Sequence, residues 1–292
     1  MTVNELSFQN TKDVIRESLF RFSDLFVHIH KHKGSLVLPR ELINHYTNVE
    51  QPPWASYYES QEKMDTIALL VFIEPEDVAS MAKELRSLPS EEVQEYKAEL
   101  ESQYLDMFKD MDETELDFDI PSAKEIKEYQ KTTSLEQQQK DILTAYFLFT
   151  TFILQTYQFI ALVTHGRSMH DLVRLAMEGD DIAFCQAVQI DRTLLFANPY
   201  FQKRLTLLQL KGKQSQLDEL ARFMKHKLYG EKYDSPELWI AFSILNRTGY
   251  LKSMPLDDLL DLCLDLNVYS GNNTKAIGKQ RSKFLKRQRL LK

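Results

Sequence analysis

Glycine and proline are scarce in this sequence, whose 292 residues include 8 glycines and 9 prolines. A β-sandwich or a doubly wound α/β fold needs many more turn residues, so this scarcity argues against both fold classes. The apolar content of 43% is nevertheless enough to build a hydrophobic core. The sequence therefore predicts an all-α protein, a multi-helix bundle whose helices are joined by short connections.

Cysteine is also rare, and its placement indicates the redox environment. Cys185 and Cys263 are the only two cysteines, and each lies in an apolar stretch with helical spacing. This pattern is typical of buried free thiols in a reducing compartment. The first residues contain charges and no continuous apolar run, which argues against a secretory signal. We therefore expect a cytoplasmic protein.

The motifs of nucleotide-dependent enzymes and of serine hydrolases are missing. The sequence contains no Gly-x-Gly-x-x-Gly, no Gly-Lys-Ser/Thr phosphate loop, no Gly-x-Ser-x-Gly and no paired Cys-x-x-Cys. We therefore predict no cofactor and favour a non-enzymatic role over catalysis.

A histidine-rich stretch offers a possible metal site. On a helix, Asp24, His28 and His32 lie four residues apart on one face, a spacing that three metal ligands can use. Histidines in the last turn of a helix also complement its dipole, and no second cluster completes the site. We therefore predict no bound metal.

Two pairs of Arg and His have a spacing that resembles the signature of some all-helical ribonucleases. The pairs are Arg40 with His45 and Arg21 with His28. Cleavage of a phosphodiester needs a positioned acid or base, which spacing alone does not supply. An all-helical ribonuclease using Arg40 and His45 is therefore kept as the second alternative function.

Residues 142–163 form an uncharged segment of 22 residues, long enough to cross a membrane. Gln155 and Gln158 lie near its middle, and such side chains are unfavourable in lipid but can be satisfied in a protein core. We predict a long central apolar helix and keep a membrane helix as the alternative. This helix ends a predicted helical body of residues 1–165, and residues 166–292 follow as a region of shorter helices.

Two stretches of the second region look alike. Residues 172–179 and 205–212 each end in glycine and lead into another predicted helix, at an offset of 33 residues. This offset is in the range of helical-hairpin repeats. Ordinary packing of helix pairs explains two copies as well, so both interpretations stay open.

Acidic residues are absent after Asp265, which leaves a strongly basic C-terminus. The last 27 residues carry +8 while the whole chain carries −7, so the first 265 residues carry −15. The pattern predicts a short acidic helix over residues 256–266, a turn, and a basic helix from Thr274. Together they look like a helix-turn-helix segment, with Ile277 and Phe284 facing the domain.

The basic helix is the predicted binding site, because Lys and Arg side chains neutralise the phosphate charges of nucleic acid. The predicted DNA- or RNA-binding residues are Lys275, Lys279, Arg281, Lys283, Lys286, Arg287 and Arg289. We therefore predict a non-enzymatic helical binding or regulatory protein that contacts nucleic acid through this helix. The first alternative is a helical interaction scaffold that binds a protein or a second copy. A tail packed on its own acidic body is also open, whereas a membrane partner is disfavoured.

Overall fold

The computed structural model describes residues 7–36, 52–58, 123–225, 233 and 235–290. Within these ranges the chain forms 13 α-helices, one 3-10 helix and no β-strand, which confirms the predicted all-α multi-helix bundle. The chain divides into two compact units, one made of Met1–Ala79 with Ile153–Lys292 and the other of Ser80–Phe152. The division predicted between residues 165 and 166 stays a prediction.

The described elements are, in chain order, α1 (Phe8–Arg21), α2 (Ser23–Lys31), the 3-10 helix (Pro53–Tyr58), α3 (Ala123–Thr132), α4 (Leu135–His165), α5 (Met169–Met177), α6 (Asp181–Ile190), α7 (Leu194–Ala197), α8 (Pro199–Leu210), α9 (Gln214–Lys225), α10 (Pro236–Arg247), α11 (Tyr250–Ser253), α12 (Leu256–Asp265) and α13 (Thr274–Leu290).

The long uncharged segment lies within α4, as the sequence predicts. Ile153, Phe159, Ile160 and Val163 are all fully buried on this helix. Ala161 and Leu162, on the other sides of the helix, are buried as well, which explains why this part of the segment carries no charge. No helix in the described part of the chain combines the length and hydropathy that a membrane span requires.

The two glutamines of the uncharged segment, Gln155 and Gln158, are satisfied by backbone groups. Gln158 Oε1 accepts a hydrogen bond from the Met169 N–H at 2.7 Å, and Gln155 Nε2 donates to the Arg21 carbonyl at 3.1 Å. A buried amide without such partners would destabilise the fold, so these bonds explain how a protein core accommodates both side chains.

Helices near the two ends of the chain pack together within the larger unit. Both α1 and α2 contact α10, and the fully buried side chains of Ile15, Leu25 and Ile29 contribute to the core there. At the surface, Lys12 Nζ lies 2.6 Å from Asp265 Oδ2, so α1 also reaches the end of α12. The first and last described helices therefore belong to one packed structure.

The two similar stretches form helical hairpins. α5 pairs with α6, α8 pairs with α9, and α6 packs against α9. Each pair is joined through a glycine with positive φ, +108° at Gly179 and +59° at Gly212, where a side chain would strain the backbone. Arg204 of the second hairpin stacks 4.6 Å above the Phe184 ring and donates to the Ala176 carbonyl of the first at 2.9 Å. A longer repeat array stays a prediction.

A buried carboxylate ties the 3-10 helix to the chain before α7. Asp191 accepts hydrogen bonds from Trp54 Nε1 at 3.1 Å, Tyr58 Oη at 2.7 Å and the Thr193 N–H at 2.9 Å. Burial raises the pKa of the Asp191 carboxyl, while the hydrogen bonds from Thr193, Tyr58 and Trp54 oppose that shift. Because its oxygens face donors from separate segments, this group is a structural connection.

Candidate nucleic-acid interface

The basic helix is preceded by a well-defined turn. α12 ends at Asp265, and Asn267 takes a left-handed conformation with φ +55°, which asparagine tolerates better than most residues. The Val268 N–H then bonds the Cys263 carbonyl at 3.0 Å, closing the helix end. Asn273 begins the next helix, because its Oδ1 accepts from the Lys275 N–H at 2.8 Å. The predicted helix, turn and helix are therefore present, and DNA binding by them stays a prediction.

Aromatic packing fixes one side of α13 to the domain. Ile277 and Phe284 are fully buried. The Phe284 ring lies 5.5 Å from the Trp239 ring and 5.8 Å from the Phe242 ring, both in edge-to-face geometry. Such aromatic pairs add to the stabilisation that burial itself gives. The helix is therefore held against α10 by its apolar side, as the sequence predicts.

Gly278 allows α12 and α13 to approach closely. A Cβ at this position would lie 3.2 Å from Leu256 Cδ1, which is tighter than an ordinary van der Waals contact. Glycine in a helix costs about 1 kcal/mol relative to alanine, so the sequence alone marks this residue as a weakness. In the structure, the absence of a Cβ at Gly278 lets Leu256 of α12 pack closely against α13, so the residue that weakens the helix also improves its packing.

Arg281 lies on the packed side of the helix, away from the other predicted binding residues. Its guanidinium donates to the Leu251 carbonyl at 3.3 Å and to the Met254 carbonyl at 3.0 Å. These carbonyls lie at the C-terminal end of α11, where the backbone has no helical donor of its own. The structure thus gives Arg281 a role in holding α11 to α13, which the basic pattern did not reveal.

Four lysines form one row on the opposite side of α13. Lys275, Lys279, Lys283 and Lys286 are all exposed. At about 100° per residue these positions fall within an arc of about 80°, centred away from the buried side chains. The row is defined by these four residues and is called the lysine row below. The side chains of Arg287 and Arg289 lie outside the described part of the structure.

For three of the four lysines in the row, the described structure shows no ion pair. Among the described residues, no carboxylate forms an ion pair with Lys275, Lys279 or Lys286. Their ammonium groups are therefore available to an anion in solution.

Two of the four carboxylates of α12 have partners outside the lysine row. Asp265 pairs with Lys12, and a second contact at 3.3 Å joins it to Arg16. The hydrogen bond from Lys12 is the main cause that lowers the pKa of the Asp265 carboxyl. Asp257 Oδ1 accepts from Thr274 Oγ1 at 3.0 Å. The basic helix consequently packs on its domain through apolar side chains and Arg281, and the lysine row faces outward.

The histidine stretch does not assemble a metal site among the described residues. The His28 and His32 rings contact each other in a tilted arrangement with centroids 4.5 Å apart, while His30 Nε2 lies 2.6 Å from Glu237 Oε1. A contact between neighbouring rings and a partner on another helix are ordinary packing interactions, so this stretch has a structural role.

The ribonuclease pair Arg40 and His45 lies outside the described residues. In the other pair, Arg21 Nε donates to Glu17 Oε1 at 2.7 Å, within its own helix. That contact gives Arg21 an intrahelical partner. The ribonuclease alternative stays a prediction.

No protein-family model, curated protein or solved structure matches this chain.

Proposed function

We propose that this chain is a non-enzymatic helical binding protein that contacts nucleic acid through the lysine row of α13. The observation that carries the proposal is a row of exposed lysines, three of them without an ion pair in the described structure, on a helix whose other side is buried. A cytoplasmic location is part of the proposal. It is supported by the two cysteines, which are buried and free, as is usual in a reducing compartment.

The arrangement suits a polyanion for two physical reasons. A helix anchored by Ile277 and Phe284 holds the backbone of its lysines in a fixed geometry, so binding a partner costs only the rotamer freedom of the lysine side chains. Each lysine that neutralises a phosphate releases a condensed counterion, and this release drives binding at low salt.

Two other partners of the basic helix are less well supported. An amphipathic helix binds a membrane by inserting its apolar side, but the apolar side of α13 is buried against Trp239 and Phe242. Binding to the acidic body would place the lysines against carboxylates, whereas Asp257 and Asp265 contact other residues.

The proposal is tested by fluorescence anisotropy with labelled 20-base-pair DNA and RNA duplexes across a salt series. One variant replaces the lysine row by glutamine at all four positions. A matched control removes four exposed lysines of the hairpin formed by α8, α9 and their connection in the same way, at Lys203, Lys211, Lys213 and Lys225. The total charge change is identical, so only the location differs.

We expect the wild type and the control to bind at low salt, with affinity that falls steeply as salt rises. The lysine-row variant should lose at least tenfold in affinity while its unfolding midpoint stays unchanged. Equal loss in the two variants would mean that overall charge, not this row, governs binding. Failure of the wild type to bind either duplex at low salt would refute the proposal.

A protein-binding scaffold is the second candidate, and one observation favours it. On α8, Leu210 is 79% exposed and Leu207 is 40% exposed. Large apolar side chains clustered at a surface often mark a contact site for protein. Sedimentation velocity over a range of concentrations tests self-association: an oligomer that Leu210→Lys converts to monomer supports this candidate, and a monomer at every concentration removes self-association.

A further inference from the structure

We infer that the nucleic acid bound by the lysine row is a double helix, held by its phosphate backbone with little preference for base sequence. This inference rests on the proposed function, and it names the form of nucleic acid that the row fits.

The helix offers no exposed aromatic ring on which an unpaired base can stack. Phe284 is the only aromatic residue between Thr274 and Leu290, and it is fully buried. Tyr269 in the preceding turn is half-buried and lies so close to Gly271 that a Cβ there would be 2.5 Å from Tyr269 Oη. Proteins that bind single strands combine a positive groove with stacking platforms, and α13 presents the charge alone.

The one arginine of α13 whose side chain the structure describes is occupied elsewhere. Arginine is the commonest specific reader because its planar fork contacts guanine at two points, but the Arg281 guanidinium bonds the Leu251 and Met254 carbonyls. Asn273 Oδ1 is used in the cap of α13. The row itself consists of lysines, which act as point charges on flexible stems and position a protein on phosphates without reading sequence.

The length of the row matches a regular backbone. Lys275 and Lys286 are separated by eleven residues, which corresponds to about 16 Å along a helix. One strand of a duplex carries a phosphate every 3.4 Å of axis, so a row of this length spans the rise of about five base pairs, over which phosphates of both strands bordering one groove come within reach. A duplex holds its phosphates at fixed spacing, as α13 holds its lysines, whereas a flexible strand loses entropy when it is ordered along the row.

The test compares binding of the full chain to two 20-base-pair DNA duplexes of unrelated sequence, one RNA duplex and the matching single strands. Anisotropy is measured at several salt concentrations for the wild type and for the lysine-row variant. We expect the two DNA duplexes to differ by less than threefold in Kd and the single strands to bind at least tenfold more weakly. The RNA duplex shows which form of double helix binds more tightly.

The salt dependence gives a second readout. Each phosphate contact contributes about 0.9 to the slope of log K against log salt on a duplex, so loss of four lysines should reduce the slope by about 3.6. A reduction below about 1 on the duplex would mean that the row does not lie along phosphates, and it would overturn the inference.

The outcomes also separate this inference from the proposed function. Single strands that bind as tightly as duplexes, or a sequence preference above tenfold, overturn the inference and leave nucleic-acid binding intact. Absence of binding to every probe overturns both.

Discussion

Arg281 and Lys279 are basic residues two positions apart on one helix, and the structure predicts that their substitution affects different properties. Arg281→Gln removes a guanidinium that donates to two backbone carbonyls at the end of α11. Lys279→Gln removes an exposed ammonium group for which the described structure shows no ion pair. The first change should therefore affect stability, and the second should affect binding.

The magnitudes follow from the contacts. Hydrogen bonds to charged groups contribute about 1.5 to 3 kcal/mol, and partial exposure of Arg281 reduces this, so we expect a loss of about 2 kcal/mol in the free energy of unfolding. An exposed lysine away from special contacts changes stability by less than about 0.5 kcal/mol. Its removal should reduce the salt slope of duplex binding by about 0.9, because one phosphate contact is lost.

Urea unfolding followed by circular dichroism measures the first quantity, and anisotropy across a salt series measures the second. Arg281→Lys is a useful control, because it keeps the charge but loses the planar fork. It should retain the salt slope of duplex binding while losing most of the stabilisation that Arg281 contributes. If Arg281→Gln lowered the salt slope as much as Lys279→Gln without destabilising the fold, then Arg281 would not have the proposed structural role at the end of α11.

Three further predictions concern the core. Burial lowers the pKa of His165 from 6.5 to about 4, so the folded state resists a proton that the unfolded chain accepts. In urea titrations the wild type should therefore lose about 3 kcal/mol more stability than His165→Gln as the pH falls from 6.5 to 4. Phe284→Ala should cost about 3 to 5 kcal/mol in urea unfolding, because the ring is fully buried, and a cost below 1 kcal/mol would contradict its anchoring role. Asp191→Ala should cost about 3 kcal/mol in the same assay, because several buried donors lose their acceptor, whereas Asp258→Ala at an exposed position should cost less than about 0.5 kcal/mol.

Periodicity and capping patterns predicted the local structure of the C-terminal segment well. The basic helix begins at Thr274 and buries Ile277 and Phe284, as the spacing of apolar residues indicates. The long helix over residues 142–163 and the burial of both cysteines are likewise present. These features depend on neighbours within a few turns of helix, which is why a sequence alone carries them.

Long-range contacts could not be predicted in this way. The pairing of Asp191 with Trp54 joins residues far apart in sequence, and no local pattern marks either as a partner of the other. The same holds for Lys12 and Asp265, whose contact links the first described helix to the end of α12. Charge counts along the chain record only the sum of such groups, so the acidic body and the basic tail do not reveal which carboxylates are already paired.

The distinction between Arg281 and the lysine row follows from the same limit and bears directly on function. Helical geometry alone places position 281 on the side of Phe284, opposite the row, so the sequence contained part of the signal. What it lacked was a reason for a charged residue to lie on the packed side, and the free carbonyls of α11 supply that reason. Basic residues on different faces of one helix can therefore have different roles, one structural and the other in binding. Applied to α13, this division leaves a row of lysines, and a row of lysines favours contact with phosphates over recognition of bases.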